Sequence, residues 1–120
     1  MAADIMLVLT NAVPGADDEF NAWYDDTHLV DVLEHGPFTG ARRFRLSDDT
    51  ADAPYRYLAV YDIEEGKAAE AQEFIVFSRS EREEALAAGR APLVPLSPSL
   101  AEERIGWFFT EISARSAVSA

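Results

Sequence analysis

The chain opens with a short, nearly unbroken apolar run at residues 4–10, closed by the turn-forming sequence Asn11-Ala12-Val13-Pro14-Gly15. Such a run reads as a first strand. Residues 20–33 follow a different period. At about 100° per residue, Phe20, Trp23, Tyr24, Thr27, His28 and Asp31 fall on one stripe. Leu29, Val32 and Leu33 point roughly the opposite way, so the apolar phase slips. The pattern predicts a helix capped by Asp17 or Asp18, with Asp17-Asp18-Glu19 at its positive end. It should end or kink near His28 and continue as a short turn through Leu33, leaving the histidine at a helix end.

His35-Gly36-Pro37 is a stop signal. Residues 38–46 then alternate, with Phe38, Gly40, Arg42, Phe44 and Leu46 on one side and Thr39, Ala41, Arg43 and Arg45 on the other, as in a second strand. After a polar loop, residues 55–63 alternate again: Tyr55, Tyr57, Ala59, Tyr61 and Ile63 against Arg56, Leu58, Val60 and Asp62. Residues 66–77 suggest a second helix packing through Ala71, Phe74 and Ile75. Ser80 with Glu83 has the form of a capping box, predicting a separate short helix to Ala88 that Gly89 ends. An extended loop with three prolines covers residues 90–99, and residues 104–112 form a last strand with apolar groups on both faces.

The resulting order, β-α-β-β-α-β, predicts an α+β domain: a four-stranded antiparallel sheet with helices on one face. One domain is expected over residues 1–113, with a fraying tail at 114–120. Two helices cover only one face of a sheet, yet the first, third and last strands are apolar or aromatic on both. A second copy of the chain, packed sheet to sheet, is the simplest cover for the other face.

Composition narrows the function classes. With 22 acidic and 10 basic residues, the formal charge is −12. Nucleic acid and anionic membrane surfaces would repel such a protein, although a local arginine cluster could still hold an anion. The absence of cysteine removes disulfides, thiolate metal sites and cysteine nucleophiles, and points to the cytoplasm. The N-terminal sequence has no basic stretch and its apolar run is too short for a signal or membrane segment, so neither is expected.

His28 is the candidate general acid or base, because imidazole titrates near neutrality. Tyr24 lies one turn before it, while Asp31 and Asp25 lie close enough in sequence to orient it or steady its cation. Arg42, read on a face with Phe38 and Phe44, needs either an acidic partner or a carboxylate or enolate ligand. Tyr55, Tyr57 and Tyr61 either build core or interface or line a pocket for a flat ligand, with Tyr57 taken as the hydroxyl that bonds it. Trp23, Trp107, Phe108 and Phe109 are read as core, with Trp23 also bordering the ligand. His35 is read as a loop residue. His28 with Asp25 and Asp31 lacks a second histidine at ligand spacing, and no phosphate loop or dinucleotide fingerprint is present, so no metal or cofactor is expected.

Several segments carry a resemblance: Asn11 to Gly15, the helix motif Phe20-Asn21-Ala22-Trp23-Tyr24-Asp25-Asp26-Thr27-His28-Leu29, Ala41-Arg42-Arg43-Phe44-Arg45-Leu46, Tyr55-Arg56-Tyr57-Leu58-Ala59-Val60-Tyr61, and Pro95-Leu96-Ser97. Together they resemble the EthD-like proteins of the dimeric α/β-barrel superfamily over nearly the whole chain. The resemblance implies a ferredoxin-like protomer whose sheet packs on its mate's, with a pocket between sheet and helices. It also implies a choice among cofactor-free oxygenases, cyclases, isomerases, decarboxylases, haem-degrading enzymes and proteins without known activity. The chain departs from the family pattern at Val30, where a proline is expected, and at Gly36-Pro37, which stands in reversed order. The reading that follows is a homodimeric enzyme without cofactor, performing proton transfer on a hydrophobic aromatic or polyketide-like molecule by cyclisation, dehydration, decarboxylation or isomerisation. The alternatives are cofactor-free oxygenation of a phenol and a non-catalytic ligand-binding or scaffold dimer.

Overall fold

A computed structural model describes residues 3–118. The first two residues of the expected domain and the last two of the expected tail lie outside the described residues. The strands are β1 (Asp4–Thr10), β2 (Phe38–Arg45), β3 (Tyr57–Ile63) and β4 (Ile105–Thr110). The helices are α1 (Asp17–Trp23), α2 (Leu29–His35) and α3 (Ala68–Ala87), with a π-helical turn, Tyr24–His28, joining the first two. The strands form one antiparallel sheet in the order β2-β3-β1-β4. The α+β architecture is the one the apolar pattern predicts.

Alternation along each strand sorts its residues between two faces. Met6, Tyr57, Ala59, Tyr61 and Ile63 are buried with Phe20, Tyr24, Val32 and Ala71 of the helices, forming the core. The opposite face carries Ile5, Leu7 and Leu9, paired with Phe109, Trp107 and Ile105 across β4 and with Asp62, Val60 and Leu58 across β3. Trp107 and Phe109, read as core from sequence, retain 53% and 47% of their exposure there; only Phe108 turns toward the helices. The described tail beyond β4 is exposed and has no regular structure.

Three local departures from the pattern have physical causes. First, the helix does not end near His28. The Leu29 N–H bonds the Tyr24 carbonyl five residues back, and the backbone stays right-handed helical on both sides. The turn holds one residue more than an α-helical one, so Val32 comes back onto the face of Phe20 and Tyr24. That extra residue is the phase slip. His28 therefore sits inside a continuous rod, at the end of the π turn. No aspartate caps the start of α1; Ala16 takes the cap position, and Asp17 instead accepts a 2.5 Å hydrogen bond from the Tyr57 hydroxyl.

Second, a register irregularity between Phe38 and Gly40 inverts the alternation of β2. Glycine in a strand commonly marks such a bulge. Beyond it Ala41, Arg43 and Arg45 pair with Tyr61, Ala59 and Tyr57 and face the helices. Arg42 and Phe44 move to the open face, so Arg42 does not share a side with Phe38.

Third, α3 is one helix of 20 residues rather than two. Ser80 caps nothing, and the Ser78 hydroxyl bonds back to the Ile75 carbonyl within the helix. Gly89, at φ +73, stands just past its end as expected. Gly36 is required for a different reason: a Cβ there would lie 2.6 Å from the ring of buried Phe38.

Candidate functional site

The space between α3, the sheet and the π turn is a partly open cavity of about 200 Å³. β1 contributes Met6, Val8 and Thr10, β3 contributes Tyr61, and β4 contributes Gly106 and Phe108. The helical rod adds Tyr24, His28 and Val32; α3 adds Phe74, Ile75, Ser78, Arg79 and Arg82. Val94, Leu96, Leu100 and Arg104 close it from the segment before β4. That segment is tied down where Val13 N–H bonds the Ser99 carbonyl at 2.8 Å and Ala101 N–H bonds the Asn11 carbonyl at 2.9 Å. The Asn11 side chain in turn spans Pro54 and Arg56. The turn Asn11 to Gly15 thus anchors the wall of the cavity.

His28 stacks on Trp23 at 4.7 Å between ring centres and meets the edge of Tyr24 at 4.8 Å. Its Nδ1 is buried and has no hydrogen-bond partner among the described residues. Burial, and then the positive charges of Arg82, Arg104 and Arg43, lower its pKa to about 4. At neutral pH it is therefore an uncharged imidazole, with a lone pair available on one ring nitrogen. The hydroxyls of Tyr24 and Tyr61 lie 3.2 Å apart in the buried wall. Burial raises both of their pKa values, so both stay protonated. One proton serves the bond between them and the other remains free to donate.

The aspartates expected to orient His28 do not reach it. Asp25 is exposed and pairs with Arg43 at 2.9 Å, and Asp31 neither bonds the imidazole nor lines the cavity. Arg42 lies over Phe44 at 5.5 Å on the open face. Tyr57 is committed to Asp17 and Asn21 at the start of α1. Of the expected site residues, then, the structure brings together His28, Tyr24 and, by stacking, Trp23. It leaves Asp25, Asp31, Arg42 and Tyr57 elsewhere.

Two features escaped sequence reasoning. Arg43 is clamped by Asp25 and Asn21 with its guanidinium 4.3 Å over the Tyr24 ring, and so supports the site from behind. The glycine at position 40 was the available signal. Arg79 and Arg82 enter the cavity from α3, where they continue the stripe Ala71, Phe74, Ile75 and Ser78 at helical spacing. Splitting that helix after Phe77 hid them. Tyr61 was as legible as Tyr57, since both share one strand face. Among the described residues, no group of histidines, cysteines and acids stands close enough to hold a metal ion.

No family model matches this chain, and no curated protein matches its sequence. Two solved structures resemble it in shape. One is a "dimeric ferredoxin-like protein of unknown function" from Thermobifida fusca YX, 11% identical, with a TM-score of 0.50 over 92% of each chain. The fold is ferredoxin-like. The other is a "putative monooxygenase" from Shewanella loihica PV-4, 16% identical, with a TM-score of 0.48 over 97% of this chain and 99% of that one. Among the described residues, no helix is long and apolar enough to cross a membrane.

Proposed function

We propose that this ferredoxin-like chain is an EthD-like, cofactor-independent enzyme that moves a proton on a small hydrophobic molecule bound beside His28. One observation carries the reading: His28, whose buried Nδ1 has no partner among the described residues, lines a cavity together with the hydrogen-bonded pair Tyr24 and Tyr61. A histidine that merely fastened a helix to a strand would make a ring hydrogen bond, and His28 makes none among the described residues. The imidazole is unprotonated at neutral pH and so can accept a proton, as a weaker base than free histidine. The Tyr24–Tyr61 pair suits donation to a carbonyl oxygen that gains negative charge when the proton leaves. Trp23 holds the imidazole plane, and Arg43 behind Tyr24 favours charge on that oxygen.

Cyclisation, dehydration, decarboxylation and isomerisation of keto compounds share the handling of a proton at or near a carbonyl-activated carbon. The test is therefore hydrogen–deuterium exchange of aryl 1,3-dicarbonyl compounds in heavy water, followed by NMR. Catalysed exchange is expected for the native protein. His28→Gln should lower it at least a hundredfold, within the range that general acid–base catalysis contributes, while the melting profile at pH 7.5 stays cooperative. Exchange that survives in His28→Gln sinks the mechanism. Consumption of oxygen in the same mixtures would move the reaction class to oxygenation.

The working form is proposed as a homodimer joined through the open sheet face. Its support is the exposed Phe44, Trp107 and Phe109 on that face, and the T. fusca protein of similar fold is described as dimeric. A cysteine-free chain also fits the reducing cytoplasm.

A further inference from the structure

The whole protein has 22 acidic and 10 basic residues, yet no aspartate or glutamate lines the cavity, and Arg79, Arg82 and Arg104 do. Among the described residues, none of the three has a carboxylate within ion-pair distance; the recorded pairs use Arg43, Arg56, Lys67 and Arg90. Arg82 donates Nε–H to the Val94 carbonyl at 3.2 Å, and Arg104 donates Nη1–H to the Glu102 carbonyl at 3.0 Å. Arg79 has no hydrogen-bond partner at all among those residues. Most of the fifteen or so N–H donors expected of three guanidinium groups are thus left for something else.

The three charges also crowd one another. Burial first, and then the neighbouring Arg104 and Arg79, lower the pKa of Arg82. Glu81 and Glu83 on the same helix offset part of this effect, but neither lines the cavity, so an anion bound there would gain from all three guanidinium groups. Arginine is the residue that holds a planar carboxylate through paired N–H bonds. Arg79 and Arg104 are exposed and so mark the rim, whereas His28, Phe74 and Phe108 lie further in. The free volume of about 200 Å³ is near that of a cavity which accepts a benzene-sized ring, about 150 Å³.

We propose that this cavity takes a single-ring aromatic carboxylic acid, its carboxylate held by Arg79, Arg82 and Arg104 and its ring between Phe74, Phe108 and His28. The proposal deepens the reading of the same site and rests on its being a ligand pocket. It does not require that the proton-transfer chemistry be right.

The experiment is titration calorimetry at pH 7.5 with benzoate, salicylate and 3-phenylpropionate, each compared with its neutral amide and with phenyl phosphate. At least one acid should bind at least tenfold more tightly than its amide, and its affinity should fall as sodium chloride is raised. Arg79→Gln combined with Arg104→Gln should erase that preference without weakening the amide, and both sites are exposed enough for the fold to survive. Arg82→Gln, verified by its melting curve, should act in the same direction. A native protein that prefers the acid yet catalyses no proton exchange would keep the anion site and lose the chemistry, which separates the two failures. The proposal is overturned if no acid binds, if amides bind as well as acids, or if the preference survives the double substitution. Tighter binding of phenyl phosphate than of every acid would overturn the choice of carboxylate.

Discussion

At the scale of single residues, His28 couples the site to stability. In the unfolded chain it takes up a proton near pH 6.5, but in the folded chain only near pH 4. Between those values the unfolded state holds more protons, so stability should rise with pH across that window and fall as acid is added. With the full shift the loss from pH 7 to pH 4 is bounded at about 3 kcal/mol, and water entering the partly open cavity should make it smaller. Urea unfolding at several pH values should show this slope in the native protein and a flatter one in His28→Gln. The two proteins share all their carboxylates, so the difference isolates the histidine; parallel slopes would mean that His28 is not held neutral. The identity of this residue was legible in the sequence, because imidazole chemistry and helical spacing are both local facts. Its partners were not. Asp25 stands three residues away in sequence, yet it points to Arg43, which a strand far along the chain supplies.

At the scale of elements, the π turn explains the most. A phase slip read from the sequence as a helix end is an extra residue accommodated inside one rod. Both flanking segments keep a common buried face, Phe20 and Tyr24 on one side and Val32 on the other. Deleting exposed Asp26 should therefore relax the turn to an ordinary α-helical one without rotating the flanks out of the core. The expected outcome is a protein that melts within a few degrees of the parent but has lost proton exchange, because the placement of His28 against Trp23 and Tyr24 depends on the wider turn. Circular dichroism and the exchange assay read the two halves. Loss of cooperative folding would show instead that the extra residue is needed for packing. The same scale shows why the arginines of α3 escaped notice. A serine followed three residues later by a glutamate satisfies the local rule for a helix start, and nothing local reveals that the helix is already running.

At the scale of the whole molecule, the sheet has one finished face and one unfinished. The finished face buries the core and holds the cavity. The unfinished one presents Phe44, Trp107 and Phe109 to solvent, with half-buried Leu7, Leu58 and Val60 between them. If two copies join there, Trp107→Glu should convert a dimer into a monomer in light scattering after size exclusion, since an unpaired carboxylate in an apolar interface costs several kcal/mol. A native protein that is monomeric at tens of micromolar would refute the dimer. The acid-binding cavity lies on the other side of the sheet, so the monomeric variant should retain the acid preference if each protomer has a complete site.

By itself, the sequence determined the order of elements, the antiparallel sheet and the two-sided apolar strands, and it raised His28 as a candidate. Each of these follows from periodicity or from the chemistry of one side chain, and both are written along the chain. Tertiary structure alone decided which charges surround the histidine. A bulge at Gly40 turned Arg43 inward and Arg42 outward, and an unbroken α3 carried Arg79 and Arg82 to the cavity that Arg104 also borders. The physical reason is one of range. A one-residue shift in a strand reverses which way its side chains face, and a helix that runs on past a local start signal carries its inward stripe further; long-range packing selects between such alternatives.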